Sequence, residues 1–173
     1  MNYAVVYISK TGNTAKVARA IRDALPRGGC LAYGAPGEAA TRADLIFAGS
    51  WTDKGACNEE MAAFLAGLSG KKVALFGTAG FGGSREYFDT VLARMAKVLP
   101  ADCEMAGGFL CQGRMPQAVK DRYEAMLKAQ PLDAQARAML DNWEAAYPHP
   151  DEEDLAAARA FALRIVRESS GEK

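Results

Sequence analysis

The chain has 173 residues, half of them apolar and 24% charged, with 21 basic and 21 acidic side chains and a formal net charge of zero. That length can bury a sizeable core, and the neutral balance lacks the basic surplus on which broad nucleic-acid or anionic-membrane binding depends. The single histidine and four scattered cysteines make no zinc pattern, no run approaches the ~18 apolar residues of a membrane span, and no basic-then-apolar leader opens the chain. The expectation is one domain over residues 1–173 in a reducing cytoplasm, with Cys30, Cys57, Cys103 and Cys111 as free thiols.

In chain order, residues 3–8 (YAVVYI) are β-branched, aromatic and continuously apolar, as a strand buried on both faces would be. Residues 9–14 form a tight polar turn of three hydroxyls, one amide and one glycine. Val17, Ala18, Ile21 and Leu25 then share one helical face. Residues 30–33 read as a short strand near an edge, residues 38–41 as one helical turn, and residues 44–50 as a second buried strand. Residues 51–57 read as a loop. Asn58 caps a helix with Met61, Phe64, Leu65 and Leu68 at helical spacing. Residues 72–77 are a third buried strand, followed by a glycine-rich loop at 78–83. Ser84 caps a helix whose apolar face is Phe88, Val91, Leu92, Met95 and Leu99. Residues 103–111 give a weaker strand signal, in which Gly107 and Gly108 predict a bulge.

The remainder departs from this alternation. Residues 116–129 and 133–147 read as two helices, with Pro116 at a first helical position. Pro148-His149-Pro150 makes a stiff break, and His149 reads as a solvated loop residue. Asp151, Glu152, Glu153 and Asp154 open a last helix, where the dipole favours acids, and residues 169–173 read as a frayed tail.

About five strands alternating with helices predict an α/β fold, a parallel sheet covered on both faces. Ligands of such sheets bind beyond the carboxyl ends of the strands. That rule selects three loops, at residues 9–14, 50–57 and 78–84. The first is neither a Walker phosphate loop nor a dinucleotide fingerprint. Its hydroxyls, helix-terminal amides and Lys10 suit a single phosphate held without magnesium. Trp51 and Phe81, from the other two loops, add aromatic surface for a planar ring.

Residues 5–21, VVYISKTGNTAKVARAI, resemble the flavodoxin signature in Tyr7, Ser9, Gly12-Asn13-Thr14, Ala18 and Ile21. GSWT at 49–52, GTAG at 77–80 and EYF at 86–88 extend the resemblance to about Cys111. The resemblance implies a three-layer sandwich with strand order 2-1-3-4-5, for which flavodoxin is itself the standard example. It implies FMN as cofactor. Ser9, Lys10, Thr11, Gly12, Asn13 and Thr14 would hold the phosphate, and Ser50, Trp51, Thr52, Asp53, Lys54 and Gly55 would border the flavin ring and its redox edge. Thr78, Ala79, Gly80, Phe81 and Gly82 would form a third wall. The pairing of this core with CQGRMP at 111–116 is similar to flavodoxin-like accessory proteins of anaerobic gut bacteria, some of which accompany a bilirubin reductase.

This chain also leaves the family pattern. Its third loop lacks the usual acidic stretch and stacking tyrosine, so Phe81 replaces that ring or the face stays open. Lys54 and Arg85 place positive charge near the flavin, opposed by Asp53 alone. Residues 113–150 are an extra helical hairpin that covers one end of the sheet or docks a partner. With no general acid, base or nucleophile evident, the leading expectation is an FMN electron carrier serving a redox partner protein such as a flavin-dependent reductase. An NAD(P)H-dependent FMN or quinone reductase, and a non-redox docking module, are the alternatives. Cys57 stands before a helix start, where a thiol pKa can fall, although a structural thiol is the reading preferred.

Overall fold

A computed structural model describes residues 1–171. β1 (Tyr3–Ile8) leads into α1 (Asn13–Ala24), and a 3-10 turn (Arg27–Gly29) into β2 (Cys30–Gly34). The short α2 (Glu38–Thr41) precedes β3 (Leu45–Asp53) and β4 (Ala56–Cys57); α3 (Glu59–Ala66), β5 (Lys72–Ala79), α4 (Arg85–Ala96) and β6 (Glu104–Gln112) follow. The chain ends in α5 (Gln117–Ala129), α6 (Ala134–Ala146) and α7 (Glu152–Ser169). The long strands are all parallel, in the order β2-β1-β3-β5-β6, with β4 paired only to β3. Leaving β4 aside, this is the expected order.

Strand alternation builds the layers. Ala4, Val6, Ile46, Ala48, Val73 and Leu75 face Met61 and Leu65 of α3 and Val91, Leu92 and Met95 of α4. The intervening Tyr3, Val5, Leu45, Phe47, Ala74 and Phe76 face Val17 and Ile21 of α1 and Phe161 and Ile165 of α7. Both faces are buried, which is why these strands read as continuous apolar runs. The α5–α6 hairpin has its own cluster, including Tyr123, Leu127, Leu140 and Trp143.

Local signals decide the element ends. Asn58 and Ser84 accept from the amides of Met61 and Tyr87, as the capping pattern predicts. The bulge in β6 falls at Ala106, between Met105 opposite Val73 and Gly107 opposite Ala74. Four expectations need correcting. Residues 51–57 are not an open loop: β3 continues to Asp53 and turns back as β4 through Lys54 (φ 48) and Gly55 (φ 78), the paired left-handed residues of a tight hairpin. Pro116 is the N-cap of α5, one residue before the helix. α7 runs on to Ser169, so the predicted tail is shorter, and residues 172–173 lie outside the described residues. His149 is half-buried, with Nδ1 2.5 Å from Asp154 Oδ2, while Asp151 and Asp154 form a reciprocal capping box at the start of α7.

Tyr3 sets a testable edge to stability. Its ring is buried and its hydroxyl donates to the Pro26 carbonyl at 3.1 Å. Burial, the larger cause, and Cys30 push the phenol from 10.0 up to about 12. The fold therefore favours the neutral phenol. That contribution is complete below pH 10 and is lost as pH rises towards 12. Tyr3→Phe is expected to flatten the fall in denaturation midpoint between pH 9.5 and 11.5, by about 1–2 kcal/mol in stability; parallel curves for the two proteins would refute this.

Candidate functional site

The loops after β1, β3 and β5 meet at the carboxyl ends of three adjacent strands. In the first, Gly12 takes the left-handed conformation (φ 89) that lets α1 begin at Asn13, with no side-chain cap. Ser9 Oγ instead accepts from the amides of Gly12 and Ala15, both at 3.2 Å. The amides of Thr11, Asn13 and Thr14 find no acceptor among the described residues. Thr14 is fully buried, and its hydroxyl shares a 3.0 Å hydrogen bond with that of Thr78, which ties the first loop to the third.

The second loop is the β3–β4 hairpin. Ser50 is buried and exchanges hydrogen bonds with Asn58, fixing the strand end to the cap of α3. Trp51 is half-buried, with Lys10 Nζ 4.8 Å from its ring centroid. At the hairpin tip, Arg94 Nη1 donates to the Gly55 carbonyl at 3.3 Å.

The third loop displays Phe81, 49% exposed among glycines. Its geometry is held from the hairpin beyond β6. Asn142 on α6 donates to the Gly80 carbonyl at 3.0 Å and accepts from Gln112 Nε2 at 3.3 Å. The first loop is tied to the same region, because Asn13 Nδ2 donates to the Arg114 carbonyl at 2.8 Å. Arg114 Nε donates to the Tyr147 carbonyl at 2.6 Å. Gly80 and Gly113 permit this closeness: an added Cβ would lie 2.4 Å from Met115 Cγ and 2.8 Å from Asn13 Nδ2, respectively.

Two cavities result. One, of about 320 Å³, lies among Lys10, Thr11, Asn13, Trp51, Thr52, Thr78, Gly80 and Phe81, closed by residues 113–116 and Val119. The other, of about 380 Å³, shares Thr52, Gly80 and Phe81 and adds Lys54, Gly55, Ala79, Tyr87 and Arg94. A larger cavity of about 410 Å³ lies beside His149 and Asp154, away from Trp51 and the first loop.

Of the residues singled out from sequence, Ser9, Gly12, Thr14, Ser50, Asp53 and Gly82 line neither of the two shared cavities. Ser9, Thr14 and Ser50 brace the loops instead. Arg85 also stays out, with Asp89 3.8 Å away; Lys54, as expected, together with Lys10, Arg94 and Arg114, supplies the positive charge there. Tyr87, Arg94 and Asn142 were missed as site residues, and the 113–116 segment was signalled only by the CQGRMP resemblance and the extra hairpin, without a place in the site. Burial raises the Cys57 pKa rather than lowering it, so its position before α3 does not activate it.

Because Asn142 is a single link from α6 to the third loop, Asn142→Ala strands the Gly80 carbonyl and the Gln112 amide. A loss of about 1–3 kcal/mol in stability is expected by chemical denaturation. Unchanged stability would mean that the link carries no load.

A family model, the flavodoxin domain, matches residues 4–163. The chain belongs to the flavodoxin family. It is 39% identical over 184 residues to the flavodoxin-like domain-containing protein BilS of Clostridium symbiosum, covering 96% of each chain. It is 33% identical over 177 residues to BilS of Clostridioides difficile, covering 98% of this chain and 99% of that one. Among solved structures, a short-chain flavodoxin associated with a non-canonical PDU bacterial microcompartment superposes with a TM-score of 0.62 at 19% identity, over 98% of this chain and 99% of that one. The flavodoxin fold thus accounts for the sheet order, and the α5–α6 hairpin folds over the same strand ends. No helix among the described residues is long and apolar enough to cross a membrane.

Proposed function

We propose that this flavodoxin-family chain binds FMN and passes electrons to a partner reductase. The observation that carries this reading is one cleft running from Thr11 and Asn13, whose amides are unspent, to Trp51, with no carboxylate lining it among the described residues. Unsatisfied amides at a helix start, hydroxyls and a nearby lysine form a donor set that fits a phosphate. FMN, when bound, supplies one- or two-electron chemistry. In this reading the chain's residues bind and orient. The first loop holds the phosphate through those amides and the Thr11 hydroxyl. Trp51 borders the ring, the Lys54–Gly55 turn lies towards its edge, and Phe81 with Met115 covers the remaining side. Ser9 and the Thr14–Thr78 pair keep the donors aimed.

Lys10, Lys54, Arg94 and Arg114 favour added negative charge on a bound flavin. The reduction potential should therefore lie above that of flavodoxins with acidic flavin surroundings, and a redox titration giving an equally low value would defeat this. Purification tests the reading as a whole. A yellow protein, or one that takes up added FMN and is bleached only through a partner, supports it. A colourless protein that refuses FMN ends it. The second cavity beside Phe81 gives an NAD(P)H-dependent reductase a foothold, and direct anaerobic bleaching by NADH or NADPH would favour that alternative.

A further inference from the structure

The two cavities around Phe81 hold a charge imbalance that the chain as a whole does not have. Among the described residues, the only charged ones lining the first are Lys10 and Arg114, and the only ones lining the second are Lys54 and Arg94. No carboxylate among them lines either cavity, although acids and bases balance at 21 each over the chain. None of these four cations has a carboxylate oxygen within 4.0 Å among the described residues, whereas Arg85, Arg159, Arg164, Lys72 and Lys120 each have one. Three of the four are held by neutral groups instead. Lys10 lies over Trp51, Arg94 meets the Gly55 carbonyl, and Arg114 meets the Tyr147 carbonyl with its guanidinium 4.1 Å from the Tyr147 ring. Asp53 lines neither cavity. A flavin phosphate beside Lys10 would leave Lys54, Arg94 and Arg114 without a counter-charge.

These cations surround exposed apolar surface. Phe81 is 49% exposed and borders both cavities. An exposed aromatic side chain beside unpaired arginine and lysine has the composition of an interface core and its rim. We propose that the Phe81 face docks a redox partner protein through an acidic patch on that partner. The proposal rests on the FMN-carrier reading above. Its sign follows from complementarity: an acidic surface supplies the missing carboxylates and steers encounter, whereas a basic surface would meet uncompensated like charge.

Two haem proteins of opposite docking charge serve as probes. The flavin-loaded protein, its loading read from the visible spectrum, is reduced with dithionite and freed of excess reductant. It is then mixed in stopped flow with ferric cytochrome b5, whose docking face is acidic, or ferric cytochrome c, whose face is basic. Each turnover oxidises the flavin by one electron and reduces one haem iron. The rate with cytochrome b5 is expected to fall roughly tenfold or more from low to physiological ionic strength, and the rate with cytochrome c to stay level or rise. Lys54→Glu, and separately Arg94→Gln, should flatten the cytochrome b5 dependence. A flat or rising cytochrome b5 profile in the loaded wild type overturns the proposal and leaves the carrier reading standing; failure to load FMN overturns both. Citrate provides the remaining arm. If citrate shifts the flavin spectrum saturably while the cytochrome b5 rate ignores it, the cations form a small-anion site, and protein docking is overturned.

Discussion

Asn13→Asp is expected to weaken FMN binding roughly 100- to 1,000-fold. Asn13 donates from Nδ2 to Thr11 Oγ1 at 3.1 Å and to the Arg114 carbonyl at 2.8 Å, and it lines the cavity beside Lys10. A carboxylate there cannot donate. It sets lone pairs against the Arg114 carbonyl and a negative charge beside a phosphate. Two like charges about 4 Å apart repel by about 4 kcal/mol at an effective dielectric of about 20, and a lost donor adds about 1–3 kcal/mol. Lys10 and the loop amides screen part of this, so about 3–4 kcal/mol remains, and each 1.4 kcal/mol is about tenfold. The helix dipole works the other way on the unliganded protein, because an acid in the first turn of α1 gains about 0.3–1 kcal/mol. Titration by fluorescence quenching with FMN and with riboflavin separates the causes. Riboflavin lacks the phosphate and should weaken less than FMN, by the lost donor alone. Equal losses for both ligands would remove the phosphate from this loop.

The second large effect concerns the strand that delivers Trp51. Gly49 lies on β3, between Tyr7 of β1 and Phe76 of β5. A Cβ at Gly49 would stand 2.1 Å from Cζ of Phe76, and the ring of Phe76 is fully buried. The ring cannot swing clear without displacing the layer under α1 and α7. Gly49→Ala is therefore expected to cost about 3 kcal/mol, the upper end of ordinary overpacking. That should lower the thermal midpoint by about 6–12 °C for a chain of this size. Adding Phe76→Leu should recover part of the loss, because the smaller side chain frees the space. A melting curve for Gly49→Ala within about 2 °C of the parent, or a double variant no better than the single, would show that the ring is not what excludes the methyl group.

Much of this architecture was legible without coordinates. β1, β3 and β5 are covered on both faces, so their apolar runs could hardly be read otherwise, and Asn58 and Ser84 mark helix starts by local chemistry alone. The β3–β4 hairpin was less visible: its signal is a lone glycine after Lys54, and a left-handed lysine at the other turn position carries no mark in sequence. His149 read as solvated because nothing in a one-dimensional chain shows that the Pro148-His149-Pro150 turn folds the ring back onto Asp154. Asn142 was out of reach for the same reason, since its link to Gly80 spans 62 residues and depends on how α6 lies over the strand ends.

By itself, the sequence determined the family, the sheet and the phosphate-like turn, because burial periodicity, capping and glycine conformation are local properties of consecutive residues. Only the tertiary structure decided how those parts are used. It turned the Thr14 hydroxyl inward to Thr78 and left Asp53 out of both cavity linings. It brought Arg94 and Arg114 to the rim in place of Arg85. It laid residues 113–116 across the cleft. Each of these outcomes depends on which side chains meet across the fold, and sequence separation does not encode that meeting.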